Sequence, residues 1–182
     1  MNFEVKIITF LQAGASEGWT AFFEIFSLLG SWIGLIILFF LFYQLQKTYA
    51  YTFLLTYGIG VGFNYVLKLI ISRDRPFITY DSIKPLTDAF GGSMPSGHAV
   101  SSAIIAVFVC FLAFKLAKKK FTKIATTISM MMFVLIVCLS RMYFGVHYLT
   151  DIILGLAFGA IFALIGLGIY NKLLRRAVKG DY

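Results

Sequence analysis

The feature that most constrains this chain is a series of apolar runs, each about twenty residues long, separated by short polar breaks. Inside a bilayer every backbone N–H and C=O must be bonded within its own segment or a closed barrel, so runs of this length predict transmembrane helices. Five runs qualify, at residues 20–43, 49–71, 97–117, 122–140 and 148–170. Residues 2–13 form a shorter helix with Phe3, Ile7, Phe10 and Leu11 on one side, which suits a helix lying at the membrane interface. The expected fold is all-α: an integral membrane helical bundle of about five transmembrane helices plus a short N-terminal interfacial helix. Composition agrees, because 60% hydrophobic and 13% charged residues leave too little polarity for a water-facing surface. Nothing resembling a linker divides the 182 residues, so residues 1–182 read as one domain.

The N-terminus lacks the form of a cleaved signal: Glu4 stands where a positive region belongs, and the apolar run at residues 7–11 is short. Cys110 and Cys138 both lie inside apolar runs and read as packing residues rather than a disulfide or metal site. The small residues of Gly58-Ile-Gly60-Val-Gly62 and Gly155-Leu-Ala-Phe-Gly159 allow close helix approach, and packing within the chain is the reading favoured over a dimer motif.

The net charge of +8 is distributed by face. Lys47, Lys115, Lys118, Lys119, Lys120, Lys123, Lys172, Arg175, Arg176 and Lys179 fall on one side of the five spans. An excess of Lys and Arg marks a cytoplasmic face, so the charge predicts topology rather than a nucleic-acid partner, and it places the C-terminus in the cytoplasm. Lys6, Lys68, Arg73, Arg75, Lys84 and Arg141 fall on the other, extracytoplasmic side, together with the chain's two histidines, His98 and His147.

Three clusters on that second face carry unusual chemistry, and ionisable residues at membrane depth are functional candidates by default. In Lys68-Leu-Ile-Ile-Ser-Arg-Asp-Arg75-Pro76, the two outer cations are seven residues apart and share a face if the helix persists. They suit an anion or, equally, snorkel to the interface. In Pro95-Ser96-Gly97-His98, Pro suits a first helical turn and Gly permits close approach, so the free N–H groups of a helix start make a phosphate site beside a proton donor. An ordinary polar cap with an interfacial His is the competing reading. In Ser140-Arg141-Met-Tyr-Phe-Gly-Val-His147-Tyr-Leu-Thr-Asp151, His147 and Asp151 are four apart and meet on one helical face. A carboxylate on one ring nitrogen leaves the other as nucleophile or base, and Arg141 offers a fork for two phosphate oxygens. Together the clusters suit phosphoryl chemistry with side-chain cations in place of a metal clamp.

Lys-x6-Arg-Pro, Pro-Ser-Gly-His and Ser-Arg-x5-His-x3-Asp, present in order over residues 68–151, resemble the three-part signature of the type 2 phosphatidic acid phosphatase (PAP2) superfamily. The resemblance implies a PAP2-like helical core with the site at the outer membrane edge, no metal and no cofactor. It implies that His147 attacks phosphorus to form a phosphohistidine, Asp151 orients His147, and His98 protonates the leaving oxygen. Lys68, Arg75, Ser96, Gly97 and Arg141 would hold the phosphoryl oxygens. Many members have six spans, one more than is counted here.

The implied activity is that of a lipid phosphate phosphatase acting in the bilayer. Undecaprenyl diphosphate or phosphatidylglycerol phosphate is placed first, and phosphatidic acid or the lipid A 1-phosphate is also compatible. Residues 77–94 suit either a cover over the site or a passive connector. Tyr65, Phe77, Tyr143, Phe144 and Tyr148 suit either a wall for a lipid chain or an interfacial aromatic belt. The competing functions are an anionic-lipid transporter or binding protein, which has no need of a His–Asp pair, and a vanadate-dependent haloperoxidase.

Overall fold

The computed structural model describes residues 3–179, and residue 2 of the expected N-terminal helix lies outside them. The elements are α1 (Phe3–Ala13), α2 (Glu17–Leu29), α3 (Trp32–Leu45), α4 (Lys47–Ile71), α5 (Pro76–Thr79), α6 (Gly97–Leu116), α7 (Lys120–Tyr143) and α8 (Leu149–Lys179), with no strand among the described residues. The chain is thus an all-helical, multi-pass membrane bundle. Among the described residues, four helices are long and apolar enough to cross a bilayer, or five if α2 and α3 count as one bent span.

That first span differs from the expected single helix over 20–43. It is broken at Gly30-Ser31, and α2 and α3 are bent by 48°. At about 1.5 Å per residue neither half reaches the roughly 30 Å needed, whereas the pair does. The break has local causes. The Gly30 N–H closes α2 on Phe26 O, the Ser31 hydroxyl donates to Leu28 O, and Gly30 sits so close to Val137 that a Cβ would meet Val137 Cγ1 at 2.9 Å.

The bundle is built around α6, whose Val100, Ile104 and Phe108 are fully buried. α4, α7 and α8 pack around it. Gly155 and Gly159 let α8 lie against α6, since a Cβ would meet Ser96 O at 2.6 Å and Val100 O at 2.5 Å respectively. These glycines serve packing within the chain. The outward faces of α4, α7 and α8 carry exposed Leu55, Ile59, Ile70, Met131 and Leu164, a pattern that suits lipid rather than water. At the end bearing the lysine-rich breaks, the Lys115 ammonium donates to the Tyr170 hydroxyl at 2.6 Å, and Tyr170 donates in turn to Gln46 Oε1.

α1 is eleven residues, far too short to cross. Val5 and Ile8 are fully buried while Phe3 and Phe10 are exposed, because α1 docks on the bundle end through Val5 and Ile8. Polar bonds fix it there: Gln12 Nε2 donates to Lys84 O at 2.7 Å and Tyr143 O at 3.0 Å.

Candidate active site

The three sequence clusters converge at one end of the bundle. Lys68, Arg75, Gly97, His98, Arg141 and His147 line a single cavity of about 170 Å³, with Asp88, Ala89 and Val146. A larger vestibule of about 410 Å³, lined by Glu24, Ser27, Leu28, Thr87 and Phe144, shares Asp88, His98 and Arg141 with it.

The first cluster reaches the cavity by a different route from the one expected. α4 does not persist to Arg75. It stops at Ile71, with Ser72 in the left-handed region at φ 45°, and Pro76 opens α5. Lys68 therefore comes from the last turn of α4 and Arg75 from the following turn. Both cations are held by backbone carbonyls. Lys68 Nζ donates to Gly92 O at 2.6 Å, and Arg75 donates to Gly91 O, Val146 O and Phe90 O at 3.0, 3.0 and 2.7 Å. A carbonyl aims a cation without neutralising it, so both charges stay available to an anion. The loop supplying these carbonyls is also tied by Ser93 N–H to Arg73 O and by Leu86 N–H to Phe144 O.

α6 opens within Pro95-Ser-Gly-His at Gly97, with Ser96 as its N-cap, so Pro95 precedes the helix rather than lying in its first turn, and one of the motif's amides is not free. Ser96 N–H donates to Asp151 O at 3.0 Å, joining the start of α6 to the start of α8. The Ser96 side chain is fully buried, its Oγ has no partner among the described residues, and it does not line the cavity. The Gly97 N–H has no acceptor among the described residues and sits at the positive end of α6.

In the third cluster, Arg141 lies in the last turn of α7, stacked on the Phe144 ring at 4.8 Å and bonded through Nε to Ser140 Oγ at 3.2 Å. Its Nη atoms have no partner among the described residues. The chain then turns through Gly145 at φ 71°, where a Cβ would meet Ile83 Cγ2 and Lys84 O at 2.8 Å. His147 is not helical, because α8 begins only at Leu149. The pair nevertheless meets, because Asp151 lies in the first turn of α8 and reaches back. Its Oδ2 accepts the Tyr148 N–H at 2.9 Å, half of a capping box, and lies 3.4 Å from His147 Nδ1. That separation is within ion-pair range but is not a formed hydrogen bond, and Nδ1 has no other partner among the described residues. Nδ1 thus faces Asp151, and Nε2 is the ring nitrogen turned away from that carboxylate. Burial is the main force that pushes the His147 imidazole down to about 4, opposed by Asp151 and reinforced by Lys68 and Arg75.

Sequence reasoning missed Arg73. Its Nη1 donates to Asp151 Oδ1 and to Thr150 Oγ1, each at 2.7 Å, and Nη2 lies 3.4 Å from Glu4 Oε2. The only sequence signal was an extra cation two residues before Arg75. Among the expected aromatic residues, Tyr65 is exposed, whereas Tyr143, Phe144 and Tyr148 are buried in the bundle end. Among the described residues, no group of three or more His, Cys, Asp or Glu is arranged to hold a metal ion.

A multi-pass helical bundle that gathers three cations, a helix start and two histidines around one cavity defines a membrane protein built to hold an anion. The chain belongs to the PAP2 superfamily, whose family model matches residues 49–175. It is 32% identical over 126 residues to phosphatidylglycerophosphatase B of Bacillus subtilis, covering 67% of this chain and 58% of that protein. It is 30% identical over 165 residues to the rat (Rattus norvegicus) glucose-6-phosphatase catalytic subunit 1, covering 77% of this chain and 46% of that one. The chain thus spans about half the length of these curated relatives. Among solved structures it resembles a transmembrane PAP2-type phosphatidylglycerolphosphate phosphatase from Bacillus subtilis, with TM-score 0.79, 26% identity, and coverage of 93% of this chain and 85% of that one. It also shares its fold with Aquifex aeolicus LpxE, with TM-score 0.76 and 21% identity over 92% and 96% of the two chains.

Proposed function

We propose that this protein is a metal-independent phosphatase of membrane lipid phosphates, with phosphatidylglycerol phosphate as its preferred substrate class. The observation that carries the reading is the convergence of Lys68, Arg75, Arg141, the Gly97 amide and both histidines on one small cavity. In this reading the three cations and the Gly97 N–H hold the phosphoryl oxygens. His147 Nε2 attacks phosphorus, the N–P bond forms as the ester P–O bond breaks, and His98 gives its proton to the leaving oxygen. The imidazole gains positive charge, which the Asp151 carboxylate offsets. A water then attacks phosphorus, His98 takes its proton, and the N–P bond breaks to return neutral His147. Splitting one hard displacement into two is the usual gain of a covalent intermediate.

The vestibule supports the choice of substrate class. It adjoins His98, which serves the leaving group, and it is bordered by the carboxylates of Glu24 and Asp88. Carboxylates accept hydrogen bonds from a polyol and repel a leaving group that is itself a phosphate, which disfavours a prenyl diphosphate. The names of the B. subtilis relatives agree. The positive-inside pattern supports an extracytoplasmic cavity and a cytoplasmic C-terminus.

The test is phosphate release from phosphatidylglycerol phosphate, phosphatidic acid and undecaprenyl diphosphate in detergent micelles, with and without EDTA. Release should be fastest with the first and unaffected by EDTA, and His147→Ala should abolish it while lipid binding persists. Release that survives His147→Ala rules out the covalent reading, and inhibition by EDTA rules out metal independence.

A further inference from the structure

Resting on the proposed phosphatase reading, we infer that Arg73, backed by Glu4 of α1, is a positioning residue for the His147–Asp151 pair. It fixes the Asp151 carboxylate and withholds part of its charge from the imidazole. Asp151 is fully buried, and a buried carboxylate with one long contact to a neutral imidazole would be poorly compensated. Its shortest ionic contact is not to His147 at all: Arg73 Nη1 lies 2.7 Å from Oδ1, against 3.4 Å between Oδ2 and His147 Nδ1. The two carboxylate oxygens are therefore divided. One serves the guanidinium, and the other serves the Tyr148 N–H and the histidine.

Arg73 is itself held on three sides. Its guanidinium stacks on the Tyr148 ring at 3.9 Å, donates to Thr150 Oγ1, and pairs with Glu4. Glu4 Oε1 also accepts the Thr150 N–H at 2.8 Å and the Thr150 hydroxyl at 2.9 Å. A carboxylate carried by a separate helix thus caps the first turn of α8, the turn that bears Asp151, and favours that helix end electrostatically. The path from α1 to His147 runs through ion-pair contacts, Glu4–Arg73 at 3.4 Å, Arg73–Asp151 at 2.7 Å and Asp151–His147 at 3.4 Å.

The chemical consequence concerns the covalent step. Asp151 stabilises the positive charge that His147 acquires on phosphorylation. A carboxylate shared with Arg73 does so less strongly, which keeps the phosphohistidine from becoming a stable end point and keeps Asp151 from taking the imidazole proton. The charged and titratable groups around the pair are Lys68 from α4, Arg73 and Arg75 from the α4–α5 turn, Glu4 from α1, His98 from α6, Arg141 from α7, Tyr148 beside Asp151, and Asp88 from the loop before α6. Of these, only Arg73 contacts the carboxylate by an ion pair besides His147 itself.

The experiment measures kcat/KM for phosphatidylglycerol phosphate in micelles against pH for the full chain, for Arg73→Met and for Arg73→Lys, with His147→Ala as control. A second measurement follows the His147 ring by NMR and needs no turnover. Removing the guanidinium leaves more negative charge facing His147, so Arg73→Met should move both the acid limb and the ring titration upward by about one pH unit. It should also lower kcat by roughly 10-fold or more with KM nearly unchanged, while Arg73→Lys should restore most of the limb position. An unmoved ring titration in folded Arg73→Met, or a loss carried by KM alone, overturns the inference. If His147→Ala retains activity, the phosphatase reading itself fails, whereas a dead His147→Ala with an unmoved Arg73→Met titration defeats this inference alone.

Discussion

At the scale of single residues, the two histidines differ in surroundings, and their proposed roles differ accordingly. His147 is buried and held to about 4, below the ordinary 6.5, chiefly by desolvation. A neutral imidazole is therefore maintained down to that value, and if His147 is the proposed nucleophile the acid limb of kcat/KM should fall near pH 4 rather than 6.5. The same displacement bears on stability. The unfolded chain binds a proton at His147 between 6.5 and 4 and the folded one does not, so this group's contribution is intact above pH 6.5 and is lost as pH falls toward 4. His98 is only partly buried and opens on both cavity and vestibule. Its replacement by Ala should slow unactivated lipid esters by roughly 100-fold or more, and p-nitrophenyl esters much less. Equal losses on the two ester types would refute its role as acid. The residues of the three clusters were legible in the sequence because polar groups beside apolar runs stand out. Arg73 was not, because its meaning lies in Glu4 and Asp151, residues distant in the chain that only the tertiary fold brings to it.

At the scale of elements, the helices were legible where apolar length alone specifies them, and misread where a turn intervenes. α6 and α7 match their expected ranges closely, and α8 runs beyond residue 170 because its polar extension continues the helix past the apolar run. The break between α2 and α3 and the stop of α4 before Arg75 depend on local hydrogen bonds and on left-handed or close-packed positions, which hydropathy does not register. The contact of α8 with α6 places His98 relative to His147 and Asp151, and Gly155 sits at that contact. Gly155→Ala inserts a methyl where the nearest atom is Ser96 O at 2.6 Å, so the two helix starts must separate. Overpacking of this kind costs about 1–3 kcal/mol, and the expected result is a thermal midpoint lower by roughly 2–10 °C in detergent. The drop in turnover should be larger than the loss of folded protein explains, which a side-by-side midpoint and kcat measurement checks.

At the scale of the whole molecule, the proposed sidedness rests on the distribution of charge. With Cys110 and Cys138 replaced by Ala, Asp88→Cys should react with a membrane-impermeant maleimide in intact cells, and Lys118→Cys only after permeabilisation. The opposite labelling pattern would reverse the proposed orientation. The carbonyl clamps on Lys68 and Arg75 carry a further consequence at this scale. Folding assembles cations at one spot and holds them with neutral oxygens, while the nearest buried carboxylate, Asp151, is already engaged by Arg73. The native state thus stores mutual repulsion that an anion relieves and the unfolded chain does not share. By mass action, orthophosphate or vanadate at one hundred times its dissociation constant should raise stability by about 2.7 kcal/mol. A melting temperature that climbs with phosphate and stays flat with chloride at equal ionic strength would register that repulsion directly, with no lipid present.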